Sequence, residues 1–125
     1  MSRILLIDDD KDLLTILKTT LIRKGFEVYA QDSWEGNSEV INLFKPNLVI
    51  LDVFLSGIDG LDICKKIKKS PFTKNLPVLI ISGFPWISQS AIYEFGANDF
   101  IAKPFEINDL LKKIHKIFNR KHESV

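Results

Sequence analysis

Short runs of continuous apolar residues most constrain what this chain can fold into. They cover residues 4–7, 48–51, 78–81 and, more weakly, 100–102. A strand that helices cover on both faces reads as such a run, whereas a strand with one exposed face alternates apolar and polar residues. Residues 26–30 do alternate, and we expect them to form an edge strand. The chain therefore predicts five strands, four of them buried on both faces.

Helical patterns lie between these runs. Leucines recur on one helix face after residue 11, and Gly25 stands where a helix commonly ends in the left-handed conformation. A second clear stripe of apolar residues runs over 107–118. We expect weaker helices over residues 34–44, 59–69 and 88–95, which Pro46, Pro71 and Gly96 respectively end.

Strand followed by helix, five times over, is typical of one open α/β sheet with right-handed crossovers. We predict a doubly wound, flavodoxin-like parallel sheet of five strands in the order 2-1-3-4-5, with five helices, in a single domain over residues 1–125. In that order, ligands bind in the crevice at the carboxyl ends of strands 1 and 3.

The strong polar residues of the four apolar strands all stand at those carboxyl ends. Carboxylates this close raise each other's proton affinity unless a cation lies between them. An open site of oxygen ligands suits Mg²⁺, and an ammonium and a hydroxyl beside it can hold two oxygens of a tetrahedral anion. The residues are Asp8, Asp9 and Asp10 after strand 1, Asp52 after strand 3, Ser82 after strand 4 and Lys103 after strand 5.

Charge and cysteine content exclude several classes of protein. Seventeen Lys and Arg against sixteen Asp and Glu leave a net charge of +1, which gives no overall attraction to nucleic acid or to a membrane surface. The single cysteine, Cys64, cannot form an internal disulfide, and the first apolar run is too short for a signal peptide or a membrane span. We expect a cytoplasmic protein with no direct nucleic-acid or membrane partner.

These residues resemble the receiver domain of two-component response regulators, the CheY-like family, over residues 3–118. Each motif alone is weak, but their joint order and spacing are specific. The motifs are Ile4-Leu5-Leu6-Ile7-Asp8-Asp9-Asp10, Leu51-Asp52 with Ile58-Asp59-Gly60, Ile81-Ser82-Gly83, Gly96-Ala97-Asn98-Asp99-Phe100 and Lys103-Pro104-Phe105.

The resemblance implies a metal-assisted phosphoacceptor. Asp52 would accept the phosphoryl group, and Asp9 would bind Mg²⁺ directly. Asp8 would bind it mostly through water, and the backbone carbonyl of Phe54 would be a further ligand.

The resemblance also implies a switch. Ser82 and Lys103 would bind the phosphoryl oxygens, and the Lys103-Pro104 peptide would be cis. Phe100 stands at the position of the family's switch aromatic and would swing inward when Ser82 is drawn to the phosphoryl group. Because it is Phe rather than Tyr, only burial distinguishes its two states.

The function implied is a phosphorelay signalling module that is not itself an enzyme. A sensor histidine kinase would phosphorylate Asp52, and the phosphorylated domain would act by protein contacts or pass the phosphoryl group to a histidine phosphotransfer protein. The phosphoprotein would then signal to a downstream protein through the surface of helix 4, strand 5 and helix 5, as a monomer or weak dimer. We expect a single-domain regulator. The alternative is the N-terminal receiver of a longer regulator with a C-terminal output domain, for example a DNA-binding one.

Two functions from other classes are less consistent with the residues. An aspartyl-phosphate phosphatase places a second acid two residues after its nucleophile, where this chain has Phe54. A degenerate receiver that only binds partners would not keep Asp8, Asp9, Asp52, Ser82 and Lys103 together.

Several residues have two interpretations. Asp10 is more typical of a helix N-cap than of a third metal ligand, and Cys64 of a small core residue than of a nucleophile. His115 and His122 are interpreted as solvated, and the basic residues of the last helix, Lys112, Lys113, Lys116, Arg120 and Lys121, as complementing its dipole rather than binding nucleic acid.

The aromatic residues near the predicted site carry a further hypothesis. Phe54 and Phe84 stand two residues beyond Asp52 and Ser82, where they would restrict the attacking water and lengthen the life of the phosphoryl-aspartate. Trp86 either packs down on helix 4 or forms part of a partner-binding patch. Trp34 and Tyr93 are expected to be ordinary half-buried aromatics.

Overall fold

The predicted five-stranded parallel sheet is present in the structure, a computed structural model that describes residues 2–34, 39–55 and 57–123. A small antiparallel pair follows the third strand. The strands are β1 Arg3–Ile7, β2 Glu27–Gln31, β3 Leu48–Asp52, β4 Phe54–Leu55, β5 Ile58–Asp59, β6 Val78–Ser82 and β7 Asp99–Ala102. The sheet order is β2-β1-β3-β6-β7, which confirms the predicted order 2-1-3-4-5 once the β4–β5 pair is set aside.

Five helices connect the strands, and three of them differ in length from the prediction. The helices are α1 Lys11–Arg23, α2 Glu39–Phe44, α3 Gly60–Lys69, α4 Ser88–Tyr93 and α5 Ile107–Glu123, and a 3₁₀ turn Pro85–Ile87 precedes α4. The prediction places the second helix over 34–44, but Trp34 is not helical and residues 35–38 lie outside the described part. No helix within the described ranges is long and apolar enough to cross a bilayer.

Two apolar layers cover the sheet. On one face, α1 and α5 bury leucines and isoleucines such as Leu17 and Leu110 against β1, β3 and β6. On the other face, α2, α3 and α4 are shorter and bury Ile41, Cys64 and Ala91. Every residue of β3 and β6 is buried, as the continuous apolar runs predict for strands between two layers.

Side chains define the beginnings of two helices. Asp10 caps α1, because its carboxylate accepts a hydrogen bond from the Leu13 N–H at 3.1 Å, which confirms the N-cap interpretation. Asp59 caps α3 by accepting from the Leu61 N–H at 2.9 Å. Each helix therefore begins directly beyond the carboxyl edge of the sheet, where the polar residues lie.

Cys64 is a core residue, as predicted. It is fully buried and its thiol donates to the Phe95 carbonyl at 3.4 Å. Burial raises the pKa of the Cys64 thiol to about 11, against a smaller lowering by the Lys68 charge. A thiol with this pKa is protonated at neutral pH and is a poor nucleophile.

Candidate metal and phosphoryl site

Three carboxylates converge at the carboxyl edge of the sheet. Asp8 and Asp9 follow β1, and Asp52 ends the neighbouring strand β3, whose Leu51 lies opposite Ile7. One oxygen from each of the three lies within 4.8 Å of the others. Asp8 and Asp52 are buried, and Asp9 is exposed. The fold of the chain therefore brings the predicted acidic group together.

Lys103 joins two of these carboxylates. It follows β7, and its Nζ lies 2.8 Å from Asp8 Oδ2 and 3.4 Å from Asp52 Oδ2. Burial lowers the pKa of Lys103, but attraction to the two aspartates outweighs it and raises the pKa above its ordinary value. Lys103 is therefore a fixed cation at neutral pH. We name Asp8, Asp9, Asp52 and Lys103 the charge cluster.

The Asp52 carboxyl is held in an unfavourable position for its charge. Burial, followed by repulsion from Asp8, raises its pKa from 3.8 to about 6, although Lys103 and the Phe54 N–H oppose the shift. The Phe54 N–H lies 3.5 Å from Asp52 Oδ1. One ammonium does not balance three carboxylates, so a further cation would bring the cluster closer to neutrality.

The donor set fits Mg²⁺. Asp8 Oδ2 is buried, forms an ion pair with the Lys103 ammonium at 2.8 Å and accepts no hydrogen bond from any other described group. Its other oxygen accepts from the Asp10 N–H at 2.9 Å. A buried oxygen with a free lone pair beside an exposed carboxylate is what a hard divalent ion with water ligands requires.

Gly60 packs closely against the backbone carbonyl of Asp52, a contact that the sequence motifs do not predict. The β4–β5 pair turns at Gly57, which has φ 85°, and returns the chain so that α3 begins against the end of β3. The Gly60 N–H donates to the Val53 carbonyl at 2.6 Å. A Cβ on Gly60 would collide with the carbonyl oxygen of Asp52. Only glycine fits here, which explains the Ile58-Asp59-Gly60 motif physically.

Ser82 ties the ends of β6 and β7 together. Its side chain is fully buried, and its Oγ accepts from the Phe84 N–H at 3.0 Å. Its carbonyl accepts from the Lys103 N–H at 2.8 Å. The Lys103-Pro104 peptide is cis, as predicted. One backbone hydrogen bond thus holds Ser82 and Lys103, the two residues predicted to bind an anion, next to each other.

Three aromatic rings continue outward from the charge cluster, and we name Phe54, Phe84 and Trp86 the aromatic ladder. Adjacent rings meet edge to face, with centroids 4.9 Å apart in both pairs. Trp86 is 72% exposed, so the alternative in which it packs down on α4 is wrong. Tyr93 is 86% exposed rather than half-buried, because it stands at the end of the short α4, whereas Trp34 is buried.

Phe100 occupies a buried position. It is 9% exposed and belongs to the apolar cluster that contains Ala91 of α4 and Ala97. Lys113 of α5 pairs with the neighbouring Asp99 at 3.1 Å. The inward position expected of the switch aromatic is therefore the one this structure contains.

The basic residues of α5 lie away from the charge cluster. Lys112, Lys116 and Arg120 are exposed, as is His115, whose ring lies 6.2 Å from that of Phe26. The side chains of Lys121 and His122, which the sequence also singles out, lie outside the described residues.

The family model of the response regulator receiver domain matches residues 4–115. The chain belongs to this family. Receiver domains bind Mg²⁺ at an acidic pocket, and response regulators are phosphorylated by histidine kinases. In this chain, the acidic side chains that the structure brings together at the edge of the sheet are Asp8, Asp9 and Asp52.

Individual relatives agree with the assignment. The DNA-binding dual master transcriptional regulator RpaA of Synechocystis sp. is 30% identical over 122 residues, which are 96% of this chain and 50% of that protein. A two-component response regulator from Clostridium difficile superposes with a TM-score of 0.86 at 28% identity, covering 97% of this chain and 98% of that one. NtrX from Brucella abortus gives 0.87 at 33% identity, over 98% of this chain and 28% of that one. The chain thus spans about half the length of the curated relative it matches.

Proposed function

We propose that this receiver accepts a phosphoryl group on Asp52 from a phosphohistidine of a sensor histidine kinase or a histidine phosphotransfer protein. The observation that carries the proposal is the position of Lys103 Nζ, 2.8 Å from Asp8 and 3.4 Å from Asp52. A buried carboxylate can act as the nucleophile toward phosphorus, and a cation fixed beside it stabilises the negative charge that the phosphoryl oxygens bring into the site.

Each residue of the charge cluster has a role in that transfer. Asp8, Asp9, Asp52 and the backbone carbonyl of Phe54 would hold Mg²⁺, which supplies positive charge to neutralise the phosphoryl oxygens. An Asp52 carboxylate oxygen attacks phosphorus while the bond between phosphorus and the donor's imidazole nitrogen breaks, and the electron pair of that bond stays on the nitrogen. Lys103 remains protonated throughout, because its pKa is raised, and stabilises the negative charge that the site gains.

Ser82 would convert phosphorylation into a change of surface. Its hydroxyl, which now accepts from the Phe84 N–H at 3.0 Å, donates to a phosphoryl oxygen. Movement of β6 toward that oxygen stabilises Phe100 in its buried position beside Ala91 of α4. The surface of α4, β7 and α5 is then the one that a downstream protein contacts. In this role the chain is a phosphorylated signal carrier and not an enzyme.

The proposal is tested by intact mass spectrometry after incubation with Mg²⁺ and acetyl phosphate. The wild type should gain the mass of one phosphoryl group, and Asp52→Asn should gain none. Asp62→Asn is the matched control, because Asp62 is an exposed aspartate in the first turn of α3 and should gain the same mass as the wild type. Equal labelling of Asp52→Asn and the wild type would exclude Asp52 as the acceptor.

A second candidate concerns how the signal leaves the domain. The chain covers 50% of the Synechocystis relative and 28% of the Brucella one, which supports a receiver that controls an output domain of the same polypeptide. The 98% coverage of the Clostridium difficile response regulator supports a single-domain regulator. The mass of the native protein, isolated with an antibody against this domain, distinguishes them: about 14 kDa indicates the single-domain regulator, and a larger mass indicates an attached output domain.

A further inference from the structure

The edge of the sheet where the strands begin carries the three most exposed large apolar side chains of the described residues. Phe72 is 92% exposed, Tyr93 86% and Leu43 79%. Each lies at or just after the end of a different helix, α3, α4 and α2 respectively, and these three helices cover the same face of the sheet. A single exposed apolar residue is ordinary, but three along one edge are typical of a surface that binds something.

Lysines lie around these side chains. Residues 63–98 contain five lysines and a single acidic residue, Glu94. Lys66, Lys69 and Lys74 are exposed and form no ion pair with another described residue. This edge is therefore positively charged, whereas the opposite edge of the sheet holds the three clustered carboxylates.

The loop that carries Phe72 is folded back on α3. The Thr73 hydroxyl donates to the Ile67 carbonyl at 2.6 Å, and the Lys68 ammonium donates to the Leu76 carbonyl at 2.8 Å. Both bonds join the loop to the last turn of the helix. The Phe72 ring is thus held outward by a fixed backbone, which reduces the entropy lost when it binds.

The ends of α3 and α4 are also held together. The Phe95 carbonyl accepts from the Cys64 thiol at 3.4 Å, and the Lys65 ammonium lies 5.6 Å from the centre of the Phe95 ring. These contacts fix the end of α4, where Tyr93 stands, beside α3 and the loop that follows it. Phe72 and Tyr93 therefore belong to one surface.

We propose that this surface, the basic apolar edge formed by Leu43, Lys69, Phe72, Lys74 and Tyr93, docks the protein reversibly on an anionic lipid bilayer. The lysines attract the headgroups, and the apolar side chains enter the interfacial layer. The net charge of +1 averages over two edges of opposite charge. In this orientation the acidic edge faces away from the lipid.

A bilayer fits the basic apolar edge better than a nucleic acid does. A single strand follows a positively charged groove and stacks its bases on aromatic rings. Here the apolar side chains stand at the ends of three helices, and Leu43 has no ring on which a base can stack. The proposal goes beyond the proposed function, because the basic apolar edge lies opposite Asp52 and docking leaves Asp52 accessible from the aqueous side.

The charge requirement is tested by co-sedimentation with vesicles at low ionic strength. The wild type should bind vesicles of phosphatidylcholine and phosphatidylserine but not phosphatidylcholine alone, and added salt should weaken binding. Lys69→Glu with Lys74→Glu should weaken it roughly twentyfold or more, at about fivefold for each lysine lost. Lys18→Glu with Lys112→Glu is the matched control, because both lysines are exposed on α1 and α5, which cover the other face. This control should bind as the wild type does.

The apolar requirement is tested in the same assay. Phe72→Ser with Tyr93→Ser should weaken binding by roughly tenfold or more, since two side chains no longer leave water. Trp86→Ser is the control, because Trp86 is 72% exposed but lies at the acidic edge, and it should keep the wild-type affinity.

Insertion into lipid is measured with phospholipids that carry brominated acyl chains, which quench tryptophan. Phe72→Trp should be quenched on the mixed vesicles, whereas the wild type should not, because Trp34 and Trp86 follow the strand ends at the opposite edge. Asp52→Asn should dock as the wild type does, so failure of phosphorylation leaves the inference standing. Absence of wild-type binding to the mixed vesicles, equal weakening by the variants and their controls, or binding to single-stranded RNA but not to vesicles would overturn it.

Discussion

The charge cluster and the aromatic ladder meet at Asp52 but depend on opposite properties. In the charge cluster, Asp8 and Asp52 are buried and Lys103 lies against both, so one changed group leaves another without compensation. In the ladder, Phe54, Phe84 and Trp86 are exposed and stack edge to face on one another. The comparison predicts that changes in the charge cluster alter stability strongly, whereas changes in the ladder alter access to Asp52 at little cost in stability.

Removing the cation from the charge cluster should have the largest effect. Lys103→Met leaves two buried carboxylates facing each other, and without Mg²⁺ it should lower the free energy of unfolding by about 2–4 kcal/mol. Mg²⁺ should restore part of the loss, which urea unfolding with and without the ion would measure. Lys113→Met breaks a more exposed pair with Asp99 and should cost less than about 1 kcal/mol. Equal losses of unfolding free energy in Lys103→Met and Lys113→Met would contradict the view that the buried charge cluster depends more on its cation than an exposed ion pair does.

The charge of Asp52 should make stability depend on pH. Its pKa is about 6 in the folded protein and about 3.9 in an unfolded chain, so the folded state binds more protons between these values. Without Mg²⁺, the free energy of unfolding should therefore fall, by about 2 kcal/mol, as the pH rises from about 4 to about 6.

Asp52→Asn removes this contribution, so the difference between wild type and variant should follow the same pH window. Urea unfolding at several pH values measures it. Asp62→Asn, which changes an exposed carboxylate, should keep the wild-type profile. If the free energies of unfolding of the wild type and Asp52→Asn differ by the same amount at every pH, the pKa of Asp52 is not raised in the folded protein.

Substitution of two glycines, Gly60 next to the charge cluster and Gly83 next to the aromatic ladder, compares how tightly the backbone is packed in the two regions. Gly60→Ala places a methyl group against the Asp52 carbonyl and should cost about 1–3 kcal/mol, with slower labelling by acetyl phosphate because the nucleophile is displaced. Gly83 precedes the ladder, and no atom lies within 4 Å of the position that a Cβ would occupy there. Gly83→Ala should stay within about 1 kcal/mol of the wild type, and thermal unfolding of both variants compares them.

Changing the ladder should alter kinetics with the smallest effect on stability. The double variant Phe54→Asn, Phe84→Glu opens the surface beside Asp52 to water and should lose its phosphoryl group several-fold faster, while its free energy of unfolding changes by less than about 1 kcal/mol. Decay of the phosphorylated mass after removal of acetyl phosphate is the measurement. Loss no faster than in the wild type would show that the rings do not restrict the attacking water.

The sequence predicts the charge cluster well, for a physical reason. Burial between two helical layers demands continuous apolar strands, so each polar residue at a strand end stands out, and parallel strands bring those ends to one edge. Asp8, Asp52, Ser82 and Lys103 are identified in this way. The cis peptide at Lys103-Pro104 was implied only by the family resemblance.

Other parts of the structure depend on contacts between distant segments, which one sequence does not reveal. The approach of Gly60 to Asp52 arises from the β4–β5 pair, whose strands have two residues each and leave no periodic signal. Helix α4 ends at Tyr93 rather than at residue 95, because the Phe95 N–H donates to the Ser90 carbonyl, five residues back, and the Ala91 carbonyl accepts instead from the Ala97 N–H. That early end leaves Tyr93 exposed.

The two tryptophans of this chain lie in opposite environments. Trp34 is 9% exposed in the apolar core, and Trp86 is 72% exposed at the outer end of the ladder. We therefore expect the fluorescence of the native protein to contain a blue-shifted component from the core and a red-shifted one from the ladder, and an aqueous quencher to reach chiefly the second. The molecule thus carries an intrinsic optical probe beside its phosphoacceptor and, in Trp34, an internal reference against which to read it.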